Sequence, residues 1–206
     1  MIYFTADLHL GHKNILGYCK RPFATIEEHD EAILQNIADT VCPLDALFIL
    51  GDLAFADISR YQDAIRDIDC YKVLIAGNHD KIWCGSATKH YAKHYQSYAK
   101  CGFDAIDDGD PADPWMMKYE SLGWGAHRDV VLHHFPSEGD SHPTDRYREY
   151  RVNDHAESPI LCGHVHDSWL TKGRNVNVGV DVWGYKPVSA EDLYPIIRGL
   201  EGGRYA

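Results

Sequence analysis

Five short polar motifs are spread over most of the chain: Asp7-Leu8-His9, Gly51-Asp52, Gly77-Asn78-His79-Asp80, His133-His134 and Gly163-His164-Val165-His166. Together they offer three carboxylates, one amide and several imidazoles. That donor set suits a pair of divalent cations. A dinuclear site of this kind is adapted to hydrolysis of phosphate esters. Each motif alone says little. Asp-x-His triplets are common, Gly-Asp and Gly-Asn mark ordinary turns, and a His-x-His pair can simply lie exposed on a strand. The reading rests on their joint occurrence, each at or just after the end of an apolar run.

Those runs are the elements that must position the motifs. Segments 1–6, 45–50, 72–76, 129–134, 158–162 and 175–180 are short and rich in Val, Ile, Leu and Phe, the pattern of strands buried on both faces. Between the first three, apolar residues recur at helical spacing. Ile26, Ile33, Leu34, Ile37 and Val41 give a helix over about 26–40, opened by a Thr25/Glu28 capping box. Ile58, Tyr61, Ile65 and Ile68 give a second helix from about Asp57, and Tyr91, Tyr95 and Tyr98 a third from about Ser86, those tyrosines making core or interface contacts. The order β-α-β-α-β-α implies parallel pairing through crossover helices. The stretch 111–127 reads as strand-turn-strand, 137–157 as a long polar loop, and a last turn of helix follows Ser189. In open α/β sheets ligands bind beyond the carboxyl ends of the strands, so the motifs are expected to converge along one edge.

The chain of 206 residues is expected to form one domain. Its formal net charge of −11 argues against a binder of nucleic-acid backbones, which needs a Lys/Arg surface. The six cysteines show no C-x-x-C pair and read as free thiols of a reducing compartment. No apolar run reaches membrane-spanning length and no cleavable leader is evident. The expectation is a soluble cytoplasmic protein with no membrane partner.

The motif series, in this order from residue 7 to residue 166, resembles the calcineurin-like metallophosphoesterase superfamily. The opening Asp7-Leu8-His9-Leu10-Gly11-His12-Lys13-Asn14-Ile15 and the closing Asn177-Val178-Gly179-Val180-Asp181-Val182-Trp183 further resemble its small bacterial and phage branch. The resemblance implies a four-layer α/β/β/α sandwich of two mixed sheets flanked by helices. It implies one metal held by Asp7, His9, Asp52 and His166, and another by Asp52, Asn78, His134 and His164, with Asp52 bridging. The ions it implies are Mn²⁺ first, with Fe²⁺, Zn²⁺, Co²⁺ or Ni²⁺ as substitutes. A metal-bound hydroxide would attack a phosphate mono- or diester. His79 would serve as general acid or charge stabiliser, oriented by Asp80. His134 is the ligand of its pair, and His133, one residue earlier on a strand, faces the other way. Purple acid phosphatases place a Tyr three residues after the Gly-Asp aspartate. Phe55 stands there in this chain, so a ferric-tyrosinate centre is not expected.

Several residues are open to two readings. His12 and Asn14 either line the substrate side or belong to a polar loop. Arg21 either binds a substrate phosphate or makes a salt bridge. Arg146, Arg148 and Arg151 in the 137–157 loop suit phosphate recognition but fit a solvated loop as well. Asn177 and Asp181 either support the site or serve a turn at Gly179. His29, His90, His94, His127, His142 and His155 have no spacing argument and read as surface or structural. Three alternatives to a small-molecule phosphoesterase remain: a nuclease with the same motifs, a non-catalytic metal-binding scaffold, and a redox di-iron protein.

Overall fold

The computed structural model describes residues 1–125, 128–152 and 157–202; His127 and His155 lie outside the described residues. The chain forms a mixed α/β fold with two five-stranded mixed sheets. In order the elements are β1 (Ile2–Thr5), α1 (Ile15–Tyr18), α2 (Ile26–Thr40), β2 (Ala46–Leu50), α3 (Gln62–Arg66), β3 (Tyr71–Ile75), α4 (Tyr91–Ala99) and β4 (Ala105–Asp107). They continue with β5 (Trp115–Lys118), α5 (Tyr119–Leu122), β6 (Asp129–Leu132), β7 (Ile160–Cys162), β8 (Thr171–Lys172), β9 (Asn175–Asn177), β10 (Val188–Ser189) and α6 (Ala190–Gly202).

The first sheet runs β10-β1-β2-β3-β4, and the second β5-β6-β7-β9-β8. β1 through β4 are mutually parallel, as the crossover helices require, with Phe4 opposite Phe48 and Phe48 opposite Val73. β10, the return strand, is antiparallel to β1.

Alternation along the strands builds the core. Tyr3, Leu47, Ile49 and Leu74 point to the side packed by Ile33 and Ile37 of α2, Ile65 of α3 and Tyr98 of α4. Phe4, Phe48, Leu50, Val73 and Ile75 point the other way, into a cluster shared with Met117, Val130, Leu132, Leu161 and Val176 of the second sheet. The two sheets therefore meet face to face. Fully buried side chains of this size each contribute about 1.5–3 kcal/mol. Val131, Ile160 and Cys162 face outward from the second sheet, where Val152, Met116 and Trp169 pack with them.

The structure alters several expected elements. The strand-turn-strand of 111–127 is one strand followed by the helical turn α5, which ends at Gly123 with φ +74°. Burial of Tyr119, Leu122 and Trp124 in the inter-sheet cluster draws this turn inward. The second helix is broken into a 3₁₀ turn at Ile58–Arg60 and the short α3. The third begins at Tyr91, not Ser86. The expected last turn is a 13-residue helix, α6, that accommodates Pro195. Its Leu193 and Ile197 are buried in the inter-sheet cluster, and such packing outweighs the local penalty of a helical proline.

Candidate metal centre

Backbone hydrogen bonds beyond the strands join the tip of β1 to that of β2 and the tip of β7 to that of β6. Asp7 N–H donates to the Gly51 carbonyl at 3.0 Å, His9 N–H to Asp52 at 2.9 Å, and Gly163 N–H to His134 at 3.0 Å. Ligand atoms of Asp7, His9, Asp52 and His166 consequently lie within 4.8 Å of one another. His9 Nε2 and His166 Nε2 meet at 3.0 Å, and His9 Nε2 is 3.5 Å from Asp52 Oδ2. On the other side of Asp52, its Oδ1 is 3.5 Å from His134 Nε2. Asn78 Oδ1 lies 3.1 Å from His134 Nε2 and 3.0 Å from His164 Nδ1. The seven expected ligands thus fall into two groups that share Asp52.

The backbone carries strain at the same place. Asp7, His9, Asp52, His164 and His166 all have φ between 48° and 70°, a region non-glycine residues seldom occupy. Such strain persists only where surrounding structure over-determines it, and it gathers at functional sites. Two motif glycines explain themselves by space. A Cβ at Gly51 would stand 2.5 Å from His134 Nδ1, and one at Gly77 would stand 2.4 Å from Asp52 Oδ1.

The donor set fits divalent cations. Asp7 Oδ2 is buried and has no hydrogen-bond partner, although buried polar atoms normally have one. Burial, aided by the Asp52 charge, pushes the Asp7 carboxyl well above its usual range. Burial likewise pushes His134 down to about 4 and His166 down to about 3. Neutral imidazoles and a carboxylate that lacks a counter-charge form a pocket short of positive charge, which a cation supplies. His134 Nδ1 is 2.9 Å from the Leu50 carbonyl. Donation there leaves Nε2 as a bare lone pair aimed at the site, the usual support of a ligating histidine.

A cavity of about 600 Å³ opens on this cluster, lined among others by His12, Asn14, His79, His142 and Arg146. His79 is partly exposed there, with Nε2 3.9 Å from Asp52 Oδ2 and its backbone N–H donating to Asp52 Oδ1 at 2.9 Å. The segment 137–152 reaches the site through Asp140, whose Oδ1 is 3.5 Å from His164 Nε2 and accepts from Arg146 Nη2 at 2.9 Å.

Three expectations are corrected. Asp80 does not orient the His79 ring. Its buried carboxylate accepts from the backbone N–H groups of Asp52, Leu53 and Gly77, and from the Tyr98 hydroxyl at 3.1 Å. It therefore locks the tip of β2 to that of β3. Arg21 is no phosphate ligand, being buried behind the first motif. It holds Asp181 with two hydrogen bonds of 2.8 and 2.7 Å, donates to the carbonyls of Leu8 and Asp7, and touches His29. Arg148 pairs with Asp145 on the exposed side of its loop and is not among the cavity-lining residues. Arg151, by contrast, is buried in contacts with Asp145, Gly139 and Arg146. His133 turns away from the site toward the Gly109 and Phe135 carbonyls.

Sequence reasoning passed over Asp140, and read Tyr98 and His29 only as core, surface or structural residues with no part in holding the site. Asp140 lies in a charged loop with no motif. Tyr98 was legible only as one tyrosine of a helical stripe. His29 completes a chain from Arg21 to Asp30, which accepts from Gly11 N–H and the Tyr61 hydroxyl. No spacing rule marks such a residue.

No family model matches the chain. It is similar to the Gene 66 protein of Mycobacterium phage L5, at 29% identity over 96% of this chain and 94% of that protein. It is similar to the Gene 66 protein of Mycobacterium phage D29, at 26% identity over 98% of both. The uncharacterized protein MJ1445 of Methanocaldococcus jannaschii is 25% identical over 96% of this chain and 91% of its own length. Among solved structures, a protein of unknown function from Aquifex aeolicus, AQ665, superposes with a TM-score of 0.68 at 26% identity, covering 96% of this chain and 99% of that one.

Proposed function

We propose that this protein is a phosphoesterase dependent on two divalent cations, built on the four-layer sandwich of calcineurin-like metallophosphoesterases. In this reading Val152, with Met116 and Trp169, lies over the sheet face on which a second helical layer is expected. The observation that carries the proposal is the convergence of seven donor side chains from five strand tips, five of them held at strained positive φ. Asp7, His9, Asp52 and His166 would hold one ion, and Asp52, Asn78, His134 and His164 the other. When bound, two such ions, Mn²⁺ foremost, lower the pKa of a shared water and clamp the phosphoryl oxygens.

The remaining work falls to the chain itself. His79, at the cavity edge beside Asp52, delivers a proton to the departing ester oxygen. The His79 backbone N–H fixes one Asp52 oxygen and so sets the carboxylate plane. Arg146, steadied by Asp140, offers its guanidinium fork to non-bridging phosphate oxygens. His12 and Asn14 line the same cavity. Substrates of this class are small phosphate mono- or diesters, met in the cytoplasm. No helix of the described residues is long and apolar enough to cross a membrane.

The test is hydrolysis of bis-p-nitrophenyl phosphate and p-nitrophenyl phosphate by the purified protein with Mn²⁺, beside Asp52→Asn. Turnover that vanishes in the variant supports the proposal. Absence of turnover in protein shown calorimetrically to bind two Mn²⁺ overturns it in favour of a scaffold.

A further inference from the structure

Two of the most exposed aromatic rings among the described residues open into the same cavity as the candidate metal cluster. Tyr18 is 71% exposed and Phe55 50% exposed, and both line that cavity. Exposed apolar surface inside a polar cleft generally marks a place where a ligand is covered.

The rings are held, not loose. Phe55 stacks on His12 with centroids 4.1 Å apart and planes 13° from parallel. His12 Nδ1 is in turn 3.4 Å from His9 Nδ1, and Phe55 N–H donates to the Leu10 carbonyl at 3.0 Å. Tyr18 meets His12 edge-on, at 6.1 Å and 79°. The three rings make a corner of two parallel planes and one perpendicular plane. The Phe55 ring is also 5.4 Å from that of His79, the candidate acid for the leaving oxygen. A group resting in the corner is therefore the one that departs. At the same wall Asn14 lines the cavity, and its side-chain amide makes no hydrogen bond to any described residue. An amide presents a donor and an acceptor together, which suits the edge of a heterocycle.

We infer that Phe55, His12 and Tyr18, with Asn14 at the rim, form a subsite for the base of a nucleoside phosphate ester, placed on the leaving-group side. The inference rests on the phosphoesterase reading of the neighbouring cluster and names its substrate class. A flat ring stacks on the Phe55–His12 pair, its edge bonds to Asn14, and its ester oxygen falls beside His79. A cavity of about 600 Å³ holds one nucleotide, and the net charge of −11 disfavours a polymer.

The experiment is calorimetric binding of adenosine 5′-O-thiomonophosphate, ribose 5-phosphate and phenyl phosphate to the Mn²⁺-supplemented protein, and to Phe55→Ala, Tyr18→Ala and Asn14→Ala. Base stacking on an aromatic side chain predicts roughly a tenfold to hundredfold advantage of the nucleotide over ribose 5-phosphate. Phe55→Ala and Tyr18→Ala should each erode that advantage, and Asn14→Ala should weaken the nucleotide but not phenyl phosphate. Equal binding of nucleotide and ribose 5-phosphate overturns the inference, as does an advantage untouched in both ring variants. A gain for phenyl phosphate equal to that of the nucleotide, with Asn14→Ala changing neither, overturns the nucleoside assignment in favour of an aryl ester. Binding is read without turnover, so the two readings fail separately. Hydrolysis of bis-p-nitrophenyl phosphate with no base preference sinks the subsite alone. Base-dependent binding without any hydrolysis sinks the phosphoesterase alone.

Discussion

Arg21 and Asp181, 160 residues apart, form a bidentate ion pair with both side chains almost wholly buried. The same guanidinium caps the carbonyls of Asp7 and Leu8. The pair therefore ties the segment after β9 to the back of the first ligand motif. It also holds apart two roles that sequence alone left open for Arg21, substrate contact and structural brace.

Arg21→Leu leaves Asp181 buried without its partner. Breaking one side of such a pair typically costs about 3–5 kcal/mol. The double variant Arg21→Leu/Asp181→Leu should recover part of that loss. Urea unfolding of the three proteins measures it. A single variant with undiminished stability and a raised KM would return Arg21 to the substrate.

Asp140 Oδ1 lies 3.5 Å from the buried His164 Nε2, on the side of the ring away from Asn78. Carboxylates in that position fix the tautomer and angle of a ligating imidazole. Their loss commonly lowers metal affinity about tenfold to a hundredfold. Asp140→Ala should weaken one of two Mn²⁺ binding events by that factor in a calorimetric titration and leave the other unchanged. Two unchanged events would remove Asp140 from the site.

His79 and Asp80 are adjacent in sequence yet should fail in different ways. His79→Asn should lower kcat by about a hundredfold or more with normal stability and Mn²⁺ binding. Asp80→Ala strips three backbone N–H groups and the Tyr98 hydroxyl of their acceptor. Unsatisfied buried groups cost about 1–3 kcal/mol each, so this variant should unfold at markedly lower urea concentration. A stable Asp80→Ala protein defective only in kcat would restore the orienting role.

Mn²⁺ should stabilise the fold by mass action. An ion present at a hundred times its Kd adds about 2.7 kcal/mol per site. A thermal melt with and without Mn²⁺ should show a clear rise in Tm, and Asp7→Asn should shrink that rise. A Tm indifferent to Mn²⁺ would contradict the ligand assignment.

The candidate ligands were legible in the sequence because their environment was legible. Asp7, Asp52, Asn78, His134 and His164 each follow a run of apolar residues, and parallel strands place their ends on one side of a sheet. Helix α2 was equally clear, since Thr25 and Glu28 cap it and its apolar stripe is regular. Residues that hold the ligands in place were not. Asp80, Arg21, Asp140 and Tyr98 act through partners distant in the chain, and hydrogen bonds across such separations leave no periodicity to read.

The sequence by itself therefore determined which donors exist and that strand ends carry them, because side-chain period and motif order are local properties. Only the tertiary structure decided how they are used. It turned Asp80 toward the backbone, withdrew Arg21 behind the site, left Arg148 in solvent, and set Phe55 against His12 beside His79. Those outcomes follow from close packing of segments far apart in sequence, where burial demands a partner for each polar atom and the fold supplies it.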